Sequence, residues 1–334
     1  MEYVRFGSTG LKVSQLCLGT MTFGIQVDEA RSRAILDAAG EAGITFIDTA
    51  DAYPMGASAG DERQGRTEEI VGRWLKGRRD DFILASKGNA PMGTRPWDRG
   101  NSRKHLLEAC ENSLRRLGTD YLDLYQLHGP DFETPLEETL GALNDLVTAG
   151  KVRYIGVSNW PAWLLARSLG VSELHGWARF ASVQPRYSLL YRQIEHELLP
   201  MCTAEGLAVI PYNPLAGGML SGKHRADQPA AEGTRFGLDL PGDYYNERYW
   251  KDTEFAGVEA LRPLAEAAGM SMVTMAIAWA LTNPAVTAPI VGASRPEQLA
   301  DAVQATEVVL DSDVLESLNA ATRHFRLTEP VVWG

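Results

Sequence analysis

The sequence predicts an α/β protein: a closed (β/α)8 TIM barrel with an N-terminal β-hairpin plug and an extra C-terminal helix, one domain over residues 1–334. Three observations carry that expectation. Eight short, β-rich apolar runs alternate with longer segments of helical period, and parallel strands need such crossovers between them. No linker, low-complexity tract or residue-level repeat divides the chain, whose length α/β barrels often fill as one unit. Successive apolar runs also end in polar groups, as strands do at the functional face of a barrel.

The opening YVRFGSTGLKVSQ reads as a hairpin turning at Ser8, Thr9 and Gly10, placed to plug the bottom of the barrel. The first unit is QLCLGT with DEARSRAILDAAGEAG, the second ITFIDT with RTEEIVGRWLKG, the third DFILASK with SRKHLLEACENSLRRLG. YLDLYQLH and PLEETLGALNDLVTAG form the fourth, VRYIGVSN and PAWLLARSLG the fifth, FASVQP and IEHELLPMCTAEG the sixth. LAVIPYNP opens the seventh, followed by a long insertion and TEFAGVEALRPLAEAAG. VTAPIVGAS and RPEQLADAVQA make the eighth, and SDVLESLNAATRHF lies outside the repeat. Asp28, Thr67 and Ser102 stand where N-caps belong, and Gly43, Gly118 and Gly150 follow helix ends.

Lysine and arginine number 32 against 43 aspartates and glutamates, a net charge of −11 with no basic stripe, so neither nucleic acid nor an anionic membrane is an expected partner. The first residues form neither a basic n-region nor an apolar h-region, and no stretch is long and apolar enough to span a bilayer, which predicts a cytoplasmic protein. Cys17, Cys110 and Cys202 lie far apart in no CxxC pattern and are expected as reduced, buried fillers. Monomer and homo-oligomer stay equally open.

Asp48 ends the second strand, Lys87 the third, His128 the fourth, Ser158 and Asn159 the fifth. Gln184 ends the sixth, Tyr212 and Asn213 the seventh, Gly292 and Ser294 the eighth. Singly, each has a bland reading: Asp48 caps a turn, Lys87 is a solvated loop lysine, His128 a hydrogen-bonded core histidine. Three ionisable groups at consecutive strand ends argue instead for a site. Tyr53 follows five residues after Asp48, and a phenol of ordinary pKa about 10 is a poor acid near neutrality. A lysine ammonium beside it lowers that pKa, and Asp48 can supply the lysine's counter-charge as a buried ion pair. His128 can then orient a carbonyl oxygen or assist the proton transfer. Such a tyrosine acid, aimed at a ketone or aldehyde, makes most sense with a hydride source. A metal-dependent hydrolase is not expected, because only His128 of six histidines ends a strand.

The segments GLKVSQLCLGTMTFG, FIDTADAY, GRTEEIVGRWLK, LASK, SLRRLGTDYLDLYQLH, GKVRYIGVSN, VQPRYSLL, PYNPLAGGMLSGK and IVGASRPEQL together resemble the aldo-keto reductase superfamily over nearly the whole chain. The pattern is most similar to the bacterial aryl-alcohol-dehydrogenase-like branch, which also resembles the β subunits of voltage-gated potassium channels. The resemblance implies a catalytic tetrad at Asp48, Tyr53, Lys87 and His128, with Tyr53 the proton donor in reducing an aldehyde or ketone. It also implies NADPH/NADP+, although no GxGxxG follows a strand. By resemblance Ser158, Asn159 and Gln184 hold the nicotinamide carboxamide and Tyr212 stacks on its ring. Asn213, Leu215, Gly217, Ser221 and Lys223 match the loop covering the pyrophosphate, and Arg235 matches an arginine gripping the phosphates. Gly292, Ser294, Arg295 and Gln298 match the segment around the adenosine phosphate. There GASRPEQ opens the eighth helix, so amides and dipole favour an anion and Arg295 adds a planar donor fork.

Pro54 departs from the glycine that usually follows the tyrosine, and a longer loop comes after it, so the substrate does not carry over from relatives. Trp97, Phe132, Trp160 and the tract 243–250 are candidates for an apolar wall over the nicotinamide. Such a wall suits aromatic aldehydes, cyclic ketones, keto-sugars or natural-product ketones. A second reading is a cofactor-binding, redox-sensing subunit with little turnover.

Overall fold

The computed structural model describes residues 1–326. β1 (Tyr3–Arg5) and β2 (Lys12–Ser14) pair antiparallel as the expected hairpin. β3 (Cys17–Gly19), α1 (Glu29–Glu41), β4 (Phe46–Asp48), α2 (Arg66–Leu75), β5 (Ile83–Gly88) and α3 (Arg103–Leu117) follow. Next come β6 (Leu122–Leu127), α4 (Leu136–Thr148), β7 (Val152–Ser158), α5 (Ala162–His175), β8 (Phe180–Gln184), α6 (Leu198–Glu205) and β9 (Ala208–Val209). The last described elements are α7 (Asp239–Tyr249), α8 (Asp252–Ala267), α9 (Met272–Thr282), β10 (Ile290–Val291), α10 (Leu299–Ala305) and α11 (Ser312–Ala321).

The eight parallel strands run β10-β3-β4-β5-β6-β7-β8-β9. Between the two ends of that order, Val209 bridges Val286, and the Ile290 N–H donates to the Pro211 carbonyl at 2.8 Å. These few bonds join the seventh and eighth strands and close the (β/α)8 barrel. Inside it, Phe46, Ala85, Leu124, Ala208 and Ile290 pack in one apolar cluster with Phe6 and Val13 of the hairpin. Phe6 stands edge-on to Phe46 at 5.9 Å, and the Ser8 N–H donates to the Gly206 carbonyl at 2.7 Å, ahead of β9. The hairpin therefore plugs the end at which the strands begin, and the functional face is the other end.

Strand alternation turns that apolar layer into a polar one two residues later, since residues i and i+2 share a face. Phe46 leads to Asp48, Ala85 to Lys87 and Leu124 to Gln126, and the β5–β6 register sets Lys87 opposite Gln126. All four of Asp48, Lys87, Gln126 and Gln184 are buried.

Asp28 and Ser102 accept from the Arg31 and His105 amides as N-caps, and Gly43, Gly118 and Gly150 take positive φ after helix ends. Thr67 does not cap α2: Gly65 does, and the Thr67 hydroxyl donates to the Phe23 carbonyl at 2.7 Å. α9 was not expected, because residues 274–280 are all buried and a helix buried all round carries no 3.6-residue contrast. The three cysteines are buried and unbridged. Among the described residues no single helix is long and apolar enough to cross a membrane.

Candidate active site

Four polar side chains meet at the mouth of the barrel because β4, β5, β6 and the loop after β4 end there together. The Lys87 ammonium, wholly buried, donates to Asp48 Oδ2 at 2.5 Å, to the Thr49 carbonyl at 2.9 Å and to the Tyr53 hydroxyl at 3.2 Å. The His128 ring stands edge-on to Tyr53, with centroids 5.8 Å apart. Burial pulls the Lys87 pKa down, but Asp48 and Tyr53 more than offset it and the net direction is up, so the lysine stays charged.

The phenol behaves differently from the sequence expectation. Burial pushes the Tyr53 pKa up to about 12; Lys87 pulls it down and Asp48 pushes it up. The lysine limits the rise without reversing it, because the ring is enclosed by the barrel mouth, so Tyr53 carries its proton throughout the neutral range. Burial, and then the Lys87 charge, push His128 down to about 3, which leaves a neutral imidazole. A protonated phenol, a fixed cation and a neutral imidazole form a proton-donating group rather than a nucleophilic one.

A cavity of about 470 Å³ opens above these groups, within the size range of ligand sites. Asp48, Tyr53 and His128 line its floor, and Lys87 lies beneath them, outside the lining. Ser158, Asn159, Gln184 and Tyr212 form the adjoining wall. Their polar groups are already ordered: the Ser158 hydroxyl donates to the Gln184 carbonyl at 2.8 Å, and the Tyr212 hydroxyl donates to Asn159 Oδ1 at 2.8 Å. Asn213, Leu215, Gly217, Ser221, Lys223 and Arg235 line the far side. Gly292, Ser294 and Gln298 do so as well.

Lys223, Arg235 and Arg295 form no salt bridge among the described residues. Desolvation, and then Arg295 and Arg235, lower the Lys223 pKa. Two cations lining one end of the cavity, Lys223 and Arg235, with Arg295 close enough to act on Lys223, fit a polyanion, and an ordered amide wall with a tyrosine at the other end fits a carboxamide-bearing aromatic ring. The residues present thus fit a phosphorylated nicotinamide dinucleotide.

Other placements differ from expectation. Arg295 is exposed and does not line the cavity. The eighth helix starts later than GASRPEQ suggests: Pro296–Gln298 forms a 3-10 turn before the seven-residue α10. Gln298 Oε1 also takes the Ser294 N–H at 2.8 Å, so that amide is not free for an anion. Trp97, Phe132 and Trp160 are likewise absent from the cavity wall. Phe132 and Trp160 line a separate groove with Trp163, and Trp97 is exposed beneath Arg95. Trp160 is buried edge-on to Phe180 at 5.5 Å, and Phe132 stacks on Trp163 at 6.4 Å, which is what keeps these rings from the cavity. Met21, Met55, Tyr244 and Tyr245 supply the apolar wall, the last two from the 243–250 tract.

Sequence reasoning also missed Gln126, whose Nε2 donates to Asp48 Oδ1 at 3.0 Å. Its only signal was its spacing, two residues before His128. Asn89, Asn159 and Asn213 have positive φ at the ends of β5, β7 and the seventh unit's strand, a conformation that asparagine tolerates better than most residues.

Comparison with known proteins agrees with this geometry. The chain is 39% identical to an uncharacterized oxidoreductase, YrpG, of Bacillus subtilis (strain 168), covering 96% of this chain and 95% of that one. It is 34% identical to a probable voltage-gated potassium channel subunit beta of Oryza sativa subsp. japonica, covering 97% of each. It is 34% identical to versiconal hemiacetal acetate reductase of Aspergillus parasiticus, covering 95% of this chain and 96% of that one. The model of the aldo/keto reductase family matches residues 15–323, and the chain belongs to that family.

Proposed function

We propose that this oxidoreductase is an NADPH-dependent reductase of aldehydes and ketones, working in the cytoplasm, with Tyr53 as its proton donor. The observation that carries the reading is the contact chain Asp48–Lys87–Tyr53, which ends at a cavity whose far end holds Lys223 and Arg235, cations without a salt bridge among the described residues. NADPH, when bound, supplies a hydride to the carbonyl carbon. Tyr53 gives its proton to the carbonyl oxygen, and Lys87 beside it stabilises the phenolate left behind. Asp48 keeps Lys87 charged and in place, and the neutral His128 ring orients the carbonyl oxygen. Ser158, Asn159 and Gln184 hold the carboxamide, and Tyr212 lies against the ring. Asn213, Leu215, Gly217, Ser221 and Lys223 enclose the phosphates with Arg235. Gly292, Ser294, Arg295 and Gln298 bound the adenosine end. Met21, Met55, Tyr244 and Tyr245 favour an apolar substrate such as an aromatic aldehyde or cyclic ketone.

The test is a panel of aldehydes, diketones, quinones and keto-sugars with NADPH, following loss of reduced-nicotinamide absorbance. Tyr53→Phe keeps the shape of the ring and removes the proton. Its kcat is expected to fall by roughly 10²–10⁴, the scale of losing a general acid, with NADPH affinity unchanged within a few-fold. Near-wild-type turnover would refute the role of Tyr53.

The likeness to proteins named as probable channel β subunits favours a second reading, a cofactor-binding sensor. Many turnovers per site on any carbonyl decide for the enzyme. A single slow oxidation of bound NADPH with the product retained decides for the sensor.

A further inference from the structure

We propose that Gln126 is a positioning residue that fixes which end of the Gln184 amide faces the cofactor; the inference rests on the nicotinamide cofactor proposed above. Gln126 is fully buried inside the barrel and does not line the cavity. It sits on β6 opposite Lys87 in the strand register. Asp48 Oδ2 is taken by the Lys87 ammonium, and its other oxygen, Oδ1, accepts from two amides: Gln126 Nε2 at 3.0 Å and Gln184 Nε2 at 2.8 Å. A carboxylate paired with an ammonium accepts and does not donate, so both glutamines must turn their NH2 groups toward it. The Gln184 Nε2 also donates to Gln126 Oε1 at 3.2 Å, closing a three-membered ring of hydrogen bonds.

The ring uses both N–H bonds of Gln184 on the inner side. Its main chain is held separately, the carbonyl accepting from the Ser158 hydroxyl and the Asn159 amide. What Gln184 has left for the cavity it lines is its side-chain carbonyl oxygen, an acceptor alone. That polarity complements the NH2 of a nicotinamide carboxamide and not its carbonyl. With an apolar chain at position 126, Asp48 still takes one Gln184 N–H, but the second is released. The amide can then twist to offer the cavity a donor as readily as an acceptor.

The measurement is the equilibrium affinity of NADPH and of its 3-acetylpyridine analogue, which replaces the carboxamide NH2 by a methyl group, for wild type, Gln126→Met and Gln126→Leu. 2′-Phospho-ADP-ribose, which lacks the nicotinamide, reports the integrity of the rest of the site. Wild type is expected to prefer NADPH by about 3- to 10-fold, the scale of one neutral hydrogen bond, and both variants to bring that ratio below about 2. 2′-Phospho-ADP-ribose should bind the variants within about 2-fold of wild type, since Gln126 touches nothing at that end of the cavity. A purely structural role would lower stability and leave the ratio alone. A folded variant with the wild-type ratio overturns the proposal, and so does a wild type that binds NADPH and the analogue equally well. Should neither variant fold, the wild-type ratio decides. A wild type that fails to bind NADPH overturns the cofactor reading and this inference with it.

Discussion

His128 enters the site as a neutral donor and acceptor, not as a charge. Its pKa, pushed down to about 3 by burial and then by Lys87, lies below that of the unfolded chain. Between about pH 3 and the ordinary histidine value of about 6.5, the unfolded chain holds a proton at this residue that the folded chain does not. Stability linked to His128 is therefore fully present above about pH 6.5 and is lost as pH falls toward 3. Urea titrations of wild type and His128→Asn over that range should show a shallower acid loss in the variant; parallel curves would show that the ring is solvated. The kcat profile of wild type should carry no break near 6.5 from this residue. Asp48, Lys87 and His128 were legible in the sequence because each ends an apolar run on an ionisable group. Gln126 was not, since an amide inside a strand gives no sign of which way it points. The direction of the Tyr53 shift was misread because enclosure of the ring outweighs its nearest charge, and depth is a tertiary property.

At the scale of elements, α7 most alters the site. Its first turn contains Pro241 and Gly242, so its sequence reads as loop. It holds its place through Tyr245 and Tyr249, one helical turn apart and stacked at 6.3 Å, both buried. Tyr245 lies against Gly217, where a Cβ would stand 2.6 Å from Tyr245 Cδ1, and Gly217 has φ +72°. Gly217→Ala must therefore move the ring and also strain the backbone, the latter costing about 1–2 kcal/mol. The variant is expected to raise both KM and the NADPH Kd by roughly 10-fold, the equivalent of about 1.4 kcal/mol, while the barrel's urea midpoint shifts little. Unchanged KM and Kd would show that α7 does not close over the ligands. The strands were far easier to read than α7, since each is a short apolar run in a sheet buried on both faces, whereas the sequence of α7 has Pro241 and Gly242 in its first turn.

For the molecule as a whole, the plug and the mouth are at opposite ends of one barrel. Phe6 is fully buried against Phe46 beneath the polar layer. Phe6→Ala should cost about 3–5 kcal/mol, as large-to-small core changes do. Turnover per folded molecule should hardly change, because Phe6 lies in the apolar cluster beneath the polar layer and does not line the cavity. Thermal unfolding and active-site titration check the two halves of that statement, and a selective loss of kcat would mean that plug and mouth are coupled.

The ring is joined by pairing Cys17 with Ile290, 273 positions apart by subtraction of their numbers. A ribosome adding about 5–20 residues per second takes on the order of 15–55 s to cover that interval. For that time β3 has one ladder edge without its neighbour, and Phe6 waits for the late strand that helps to bury it. Barrel completion therefore has to wait until the chain has been made through residue 290. Arrested nascent chains that stop short of residue 290 should be cut readily by protease near β3, whereas chains extended past α10 should resist.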